Sequence, residues 1–126
     1  MSDYQITAGY KGKNARHIIT LHLISFEDDG LMYFYSPALD LTGYGKNEEE
    51  AKNSFDITLK EFMRYTDNKN TIIKELQKHG WIVKLKGNKI SGVTAPSMID
   101  MLEKNKEFNK IVSKKPYKQV IEEIAI

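Results

Sequence analysis

The sequence predicts one α+β domain, an antiparallel sheet with helices packed on one face, in the order β-β-(β)-α-α-β-β-α. Three observations carry this reading. Apolar runs flank the turn Asp28-Asp29-Gly30, a second pair of runs flanks Gly87-Asn88, and apolar residues between 47 and 65 recur at helical spacing. No flexible linker interrupts the 126 residues. Residues 17–66 are therefore read as a core, and 67–126 as a helix, hairpin, helix and tail that extend it.

Residues 9–16 read as a polar loop. From His17 to Phe26, Ile19, Leu21 and Leu23 share one face of a strand, and Ile18, Ile24 and Phe26 the other. Such two-sided apolarity suits a strand covered on both sides. Leu31 to Tyr35 is the return strand, which Pro37 ends because it cannot donate to a ladder. A short third strand fits around Leu41, with Gly43 and Gly45 read as turn glycines. Asn47 suits an N-cap, followed by Glu48, Glu49 and Glu50 at the positive end of the helix dipole. Ala51, Phe55, Leu59 and Phe62 give that helix its inward stripe. A shorter helix through Ile72, Ile73 and Leu76 stops at Gly80, and Trp81–Leu85 pairs with Lys89–Val93. Pro96 opens one long helix with Met98, Met101, Leu102, Asn105, Phe108 and Val112 on a single face. The tail from Tyr117 fits helix through Val120, Ile121 and Ile124, and strand through Val120, Ile124 and Ile126.

Composition narrows the function classes. Forty per cent apolar and 29% charged residues suit a globular chain rather than a disordered one. No run reaches the ~20 apolar residues a membrane helix needs, and the start lacks the basic flank and apolar run of a signal peptide. There is no cysteine, which excludes disulfides and thiolate metal sites and fits a reducing, cytoplasmic setting. Charge is uneven. Residues 1–66 carry 7 basic and 10 acidic side chains, and 67–126 carry 12 and 7, so a net −3 front precedes a net +5 back.

Catalytic chemistry finds little support. His17 and His22 lie five apart on a strand and face opposite sides, and His79 ends a helix. No metal or cofactor site is therefore expected. Glu27, Asp40 and Glu50 are the acids that a metal-dependent nuclease would need to converge. Asp40, between Leu39 and Leu41, is the acid that no local role explains. Tyr33, Tyr35 and Tyr44 lie beside the sheet, where aromatics either pack on it or stack on bases.

The segment Tyr35-Ser-Pro-Ala-Leu-Asp-Leu-Thr-Gly-Tyr-Gly-Lys-Asn-Glu-Glu-Glu-Ala51 resembles the signature of the HicB-like antitoxin family. There a strand pair leads to a Pro-containing segment, then Gly, a capping residue and Glu-Glu-Ala at the start of a long helix. Pro37, Gly45, Glu49, Glu50 and Ala51 match, as does the acidic turn Glu27-Asp28-Asp29-Gly30, and Asn47 replaces the usual Thr. The resemblance covers about residues 17–66. It implies a truncated ribonuclease-H-like core without that nuclease's catalytic acids, and a small ribonuclease toxin as partner. Residues 72–87 resemble the opening of the HicA messenger-RNA interferase family. Asn88-Lys89 stands where that family has its catalytic histidine. The helix-turn-helix or ribbon-helix-helix end of many HicB proteins has no clean match in residues 81–126.

Three functions follow in order of preference. The first is a non-catalytic, HicB-like antitoxin that binds a small basic ribonuclease through Asp28, Asp29, Tyr33, Tyr35, Asp40 and Tyr44. The second is a nucleic-acid-binding regulator using Lys84, Lys86, Lys89, Lys104, Lys110, Lys114 and Lys115. The third is a cryptic metal-dependent nuclease. A homodimer is also expected, because Ile121, Ile124, Ala125 and Ile126 leave an apolar end that needs cover.

Overall fold

The computed structural model describes residues 3–11, 18–66 and 69–125, with side chains from 18–66 and 71–125. Its elements are β1 (Asp3–Lys11), β2 (Ile18–Asp28), β3 (Leu31–Ser36), β4 (Leu41–Gly45), α1 (Glu48–Tyr65), α2 (Lys69–Lys78), β5 (Ile82–Lys86), β6 (Lys89–Thr94), α3 (Met98–Lys104), α4 (Lys106–Lys114) and β7 (Tyr117–Ala125). Five strands form one sheet in the order β1-β7-β2-β3-β4, and β5-β6 form a second. Within the larger sheet β2, β3 and β4 are an antiparallel meander. β7 runs antiparallel to β2 and parallel to β1. The chain is thus α+β, with a mostly antiparallel sheet and helices packed against it.

The tail resolves the two readings its residues allow. It is a strand, and it is interior. Ile19 lies opposite Ile124, Leu21 opposite Glu122 and Leu23 opposite Val120. A helix over 117–125 would leave β2 without this partner and its backbone groups unpaired. Val120 and Ile124 are buried in the sheet, and Ile121 and Ala125 of the expected apolar end are half-buried. β1 also corrects the loop reading, since residues 9–11 are strand; 12–17 and Ile126 lie outside the described residues.

Helix α1 sits directly on β4. Asn47 caps it by accepting from the Glu50 amide at 2.9 Å, and the Glu50 carboxylate accepts from the Lys46 amide at 3.4 Å. This variant of a capping box, in which the return bond goes to the residue before the cap, fixes the helix start. Gly43 and Gly45, read as turn glycines, are strand residues instead. A β-carbon on Gly43 would collide with the backbone of Phe55, and one on Gly45 with Glu50 and Ala51. Their missing side chains are what let helix and strand touch. Ala51, Phe55, Leu59 and Met63 form the buried stripe; Phe62, expected there, is only half-buried. The four-residue spacing keeps the stripe on one line over so short a strand.

Helices do not keep to one face. Gly43 lies opposite Phe34, which fixes the face that α1 covers. Tyr35 therefore points to the other face, where Asn105, between α3 and α4, donates to its hydroxyl at 2.7 Å. The single long helix expected from Pro96 is two helices for the same reason. Asn105 takes φ −104° and ψ 97°, and its side chain accepts from the Phe108 amide at 3.0 Å to cap α4. An Asn with both a cap and a tertiary partner gains more outside a helix than within it. Met98, expected inward, is exposed, whereas Met101, Phe108 and Ile111 are buried. The β5-β6 hairpin is tied to the rest through Trp81, whose ring N–H donates to the Ala38 carbonyl at 2.7 Å.

Two substitutions test this packing. Phe55→Ala should cost about 3–5 kcal/mol in urea unfolding, as for any deeply buried aromatic. Gly43→Ala, which adds one methyl, should cost at least ~1–3 kcal/mol because the clash is with helix backbone. A Gly43→Ala loss under about 0.5 kcal/mol would show that α1 does not rest on β4.

Candidate functional site

The register divides the six expected contact residues between the two ends of the sheet. At the hairpin end, Phe26 lies opposite Tyr33, and Tyr33 opposite Tyr44. Their rings form a row. Phe26 and Tyr33 are stacked, with centroids 5.2 Å apart and planes within 9°; Tyr33 and Tyr44 are 6.1 Å apart and tilted by 32°. Burial falls along the row, from a buried Phe26 to a Tyr44 that is 60% exposed. Offset aromatic pairs across strands each contribute on the order of 1 kcal/mol, so Tyr44 is held in place although it is exposed.

β4 is an edge strand, yet its edge is partly closed. The Tyr44 amide donates to the Ser54 hydroxyl of α1 at 3.1 Å, which removes one outward donor from any incoming strand. What Tyr44 offers is its ring and hydroxyl. Asp28 and Asp29 lie beyond the row at the hairpin tip. Asp28 pairs with Lys115 at 2.9 Å, and Asp29 takes φ 51° in the turn. Asp29 is thus explained by turn geometry, since a short acid tolerates the left-handed region.

Tyr35 and Asp40 belong to the other end. Tyr35 is buried rather than available to a partner. Asn105 donates to its hydroxyl, which in turn donates to the Asp40 carboxylate at 2.9 Å. Burial pushes the Tyr35 phenol up to about 12, with Asp40 acting in the same direction and the Asn105 hydrogen bond against it. The phenol is therefore neutral and serves as donor and acceptor at once. Asp40 takes φ 55°, so the acid without a local role is a left-handed turn residue fixed by a tyrosine five positions earlier.

A cleft of about 620 Å³ opens beside Asp40, between the β3–β4 loop, the end of α2, the start of α3 and the α3–α4 junction. Glu27 and Glu50 are not part of it: Glu27 is on β2 near the hairpin tip and Glu50 is engaged in the α1 cap. Among the described residues no group of three or more His, Asp or Glu side chains is placed to hold a metal. His22 is exposed, His79 lies 3.9 Å from Glu75, and His17 is outside the described residues. The seven lysines also divide. Lys84, Lys86 and Lys89 lie on the small hairpin, Lys104 ends α3, Lys110 and Lys114 lie on α4, and Lys115 is paired with Asp28.

Sequence reasoning missed one charged group in the core. Glu122 of β7 is 1% exposed, on the face that α1 covers. Its Oε1 and the Oδ1 of Asp56 are both buried without a partner, while Asp56 Oδ2 accepts from Lys52 at 2.8 Å. Two carboxylates that face each other as acceptors only are reconciled by one proton between them. Burial pushes the Glu122 carboxyl up to about 8, and the hydrogen bond with Asp56 and its negative charge add to this, against a smaller pull from Lys52. The signal was available: an acid in the middle of Val120-x-Glu122-x-Ile124 becomes a buried acid once the tail is read as a strand.

With this geometry established, neither a family model, nor a curated protein, nor a solved structure matches the chain. No described helix is long and apolar enough to cross a membrane.

The carboxyl pair gives a pH dependence with a definite sign. Glu122 holds its proton in the folded chain to about pH 8 but loses it near 4.5 when unfolded. The stability this contributes is complete below the lower value and is lost as pH rises through the upper one. Unfolding free energy should therefore fall by roughly 2–5 kcal/mol from pH 5 to pH 9. Glu122→Gln should flatten that decline in urea titrations. A wild-type profile flat across the same range would mean that Glu122 is already ionised in the fold.

Proposed function

We propose that this chain is a non-catalytic, HicB-like binding protein that docks a protein partner on the aromatic row, with Tyr44 as the anchor. The observation that carries the reading is a tyrosine 60% exposed yet braced by two further rings. Exposed tyrosines on a rigid support are the residues that dominate interface energies, because burying them costs little side-chain entropy. Ser54 on the Tyr44 amide favours docking through side chains over addition of a strand. The meander β2-β3-β4 followed by the capped helix α1 also agrees with the HicB-like resemblance. Its Pro37, Gly45, Glu49, Glu50 and Ala51 lie at the β3–β4 loop, the end of β4 and the helix start. The resemblance implies a small basic ribonuclease toxin as partner.

The test is co-expression with a small, basic, histidine-containing reading frame adjacent to the gene. Growth should be restored by the wild type, and the two proteins should co-purify. Tyr44→Ala should weaken the complex by about 2 kcal/mol, near 30-fold. Retained affinity in Tyr44→Ala would remove the aromatic row as the docking face.

The non-catalytic half of the proposal has its own assay. RNA and DNA incubated with the pure protein and magnesium or manganese should remain intact. Cleavage by the wild type that disappears in Asp40→Asn would make the chain a nuclease.

A further inference from the structure

The cleft beside Asp40 has a charge arrangement that docking at Tyr44 does not use. Three lysines line it from separate elements: Lys78 ends α2, Lys104 ends α3 and Lys106 begins α4. None of them lies within 4.0 Å of a carboxylate among the described residues, where ion pairs involve other cations. Lys78 and Lys104 are favoured by the helix C-termini they occupy. Lys106 is not: it stands in the first turn of α4, where the dipole disfavours a cation. Three unneutralised ammonium groups around one concavity focus positive potential into it, and an anion bound there would relieve their repulsion.

The acids of the cleft narrow the anion further. Asp40 and Asp100 also line it. Asp40 is held in its left-handed turn by the Tyr35 hydroxyl, and Asn105, between Lys104 and Lys106, is fixed to the same hydroxyl. Asp40 and, through Asn105, the backbone that carries two of the lysines are thus attached to one network, the preorganisation that binding sites require. Carboxylates repel a bare anion but accept hydrogen bonds from hydroxyls. Met101 supplies an apolar wall, and about 620 Å³ exceeds what a single inorganic ion fills and suits a small organic ligand. We infer that this cleft binds a hydroxylated organic phosphate, with Lys78, Lys104 and Lys106 on the phosphate and Asp40 and Asp100 on the hydroxyls.

Isothermal titration of the full chain with ribose 5-phosphate, inorganic phosphate and ribose tests this. Ribose 5-phosphate should bind saturably, with a millimolar or lower Kd, and about tenfold more tightly than inorganic phosphate, while ribose should give no heat. The double substitution Lys104→Ala/Lys106→Ala should weaken binding at least about tenfold and leave the thermal midpoint of the unliganded protein unchanged. If that variant does not fold, Lys78→Gln carries the same expectation. Tyr44→Ala should bind as the wild type does, which separates this site from the docking face. Absence of saturable heat with ribose 5-phosphate, or equal binding by wild type and the lysine variant, would overturn the assignment.

Discussion

The last strand completes the sheet that the first helix covers. β7 lies between β1 and β2, and its Val120 and Ile124 complete the apolar face on which α1 rests. The meander β2-β3-β4 alone would leave Leu21, Leu23 and the whole outer ladder of β2 without a partner. Closure therefore waits for partners that lie 91 (Phe26 and Tyr117) to 107 (Ile18 and Ala125) positions downstream of the β2 residues they pair with. Such a contact has a large loop-closure cost and rewards it only when the sheet is complete. β4 is placed by its ladder to β3 and α1 by its seat on β4, so the closure by β7 completes a sheet whose other edge already carries Ser54 and Tyr44.

Legibility in the sequence tracks the range of the interaction. The meander and α1 are local: a turn of Asp and Gly, alternating apolar residues, an Asn cap and a helical stripe can each be read within twenty residues. The β5-β6 hairpin was legible for the same reason. β7 was legible only as one of two readings, because the acid at 122 interrupts the apolar alternation that marks a strand. The break at Asn105 was hidden. Its cause is a hydroxyl seventy positions earlier, and the flanking apolar spacing runs through it undisturbed. Gly43 and Gly45 look the same in sequence whether they bend a chain or admit a helix; only the position of Phe55 and Ala51 distinguishes the two.

The candidate sites show the same division. Tyr33 and Tyr44 were identifiable as sheet aromatics, and their place side by side in the row follows from the register. Tyr35 and Asp40 were grouped with them by nearness in sequence; Tyr35 shares a face with Tyr33, but it lies at the β3–β4 loop end of the strand, where it and Asp40 enter a network of structural hydrogen bonds. A hydrogen bond between the buried Glu122 and Asp56 joins β7 to α1. A buried polar contact of this kind adds little net stability over an apolar pair, yet it penalises any register that leaves either acid unpaired. It accounts for an acid at the centre of the sheet.

Native-state amide hydrogen exchange tests the central place of β7 most directly. The amides of Val120 to Ile124 should exchange only through global unfolding, together with Leu21 to Leu23 and the middle of α1. They should be slower than those of the β5-β6 hairpin, which has one strand pairing and mostly exposed side chains. Exchange of residues 117–125 as fast as that of the hairpin, with β2 and α1 still protected, would contradict the account: the core would then stand without its last strand.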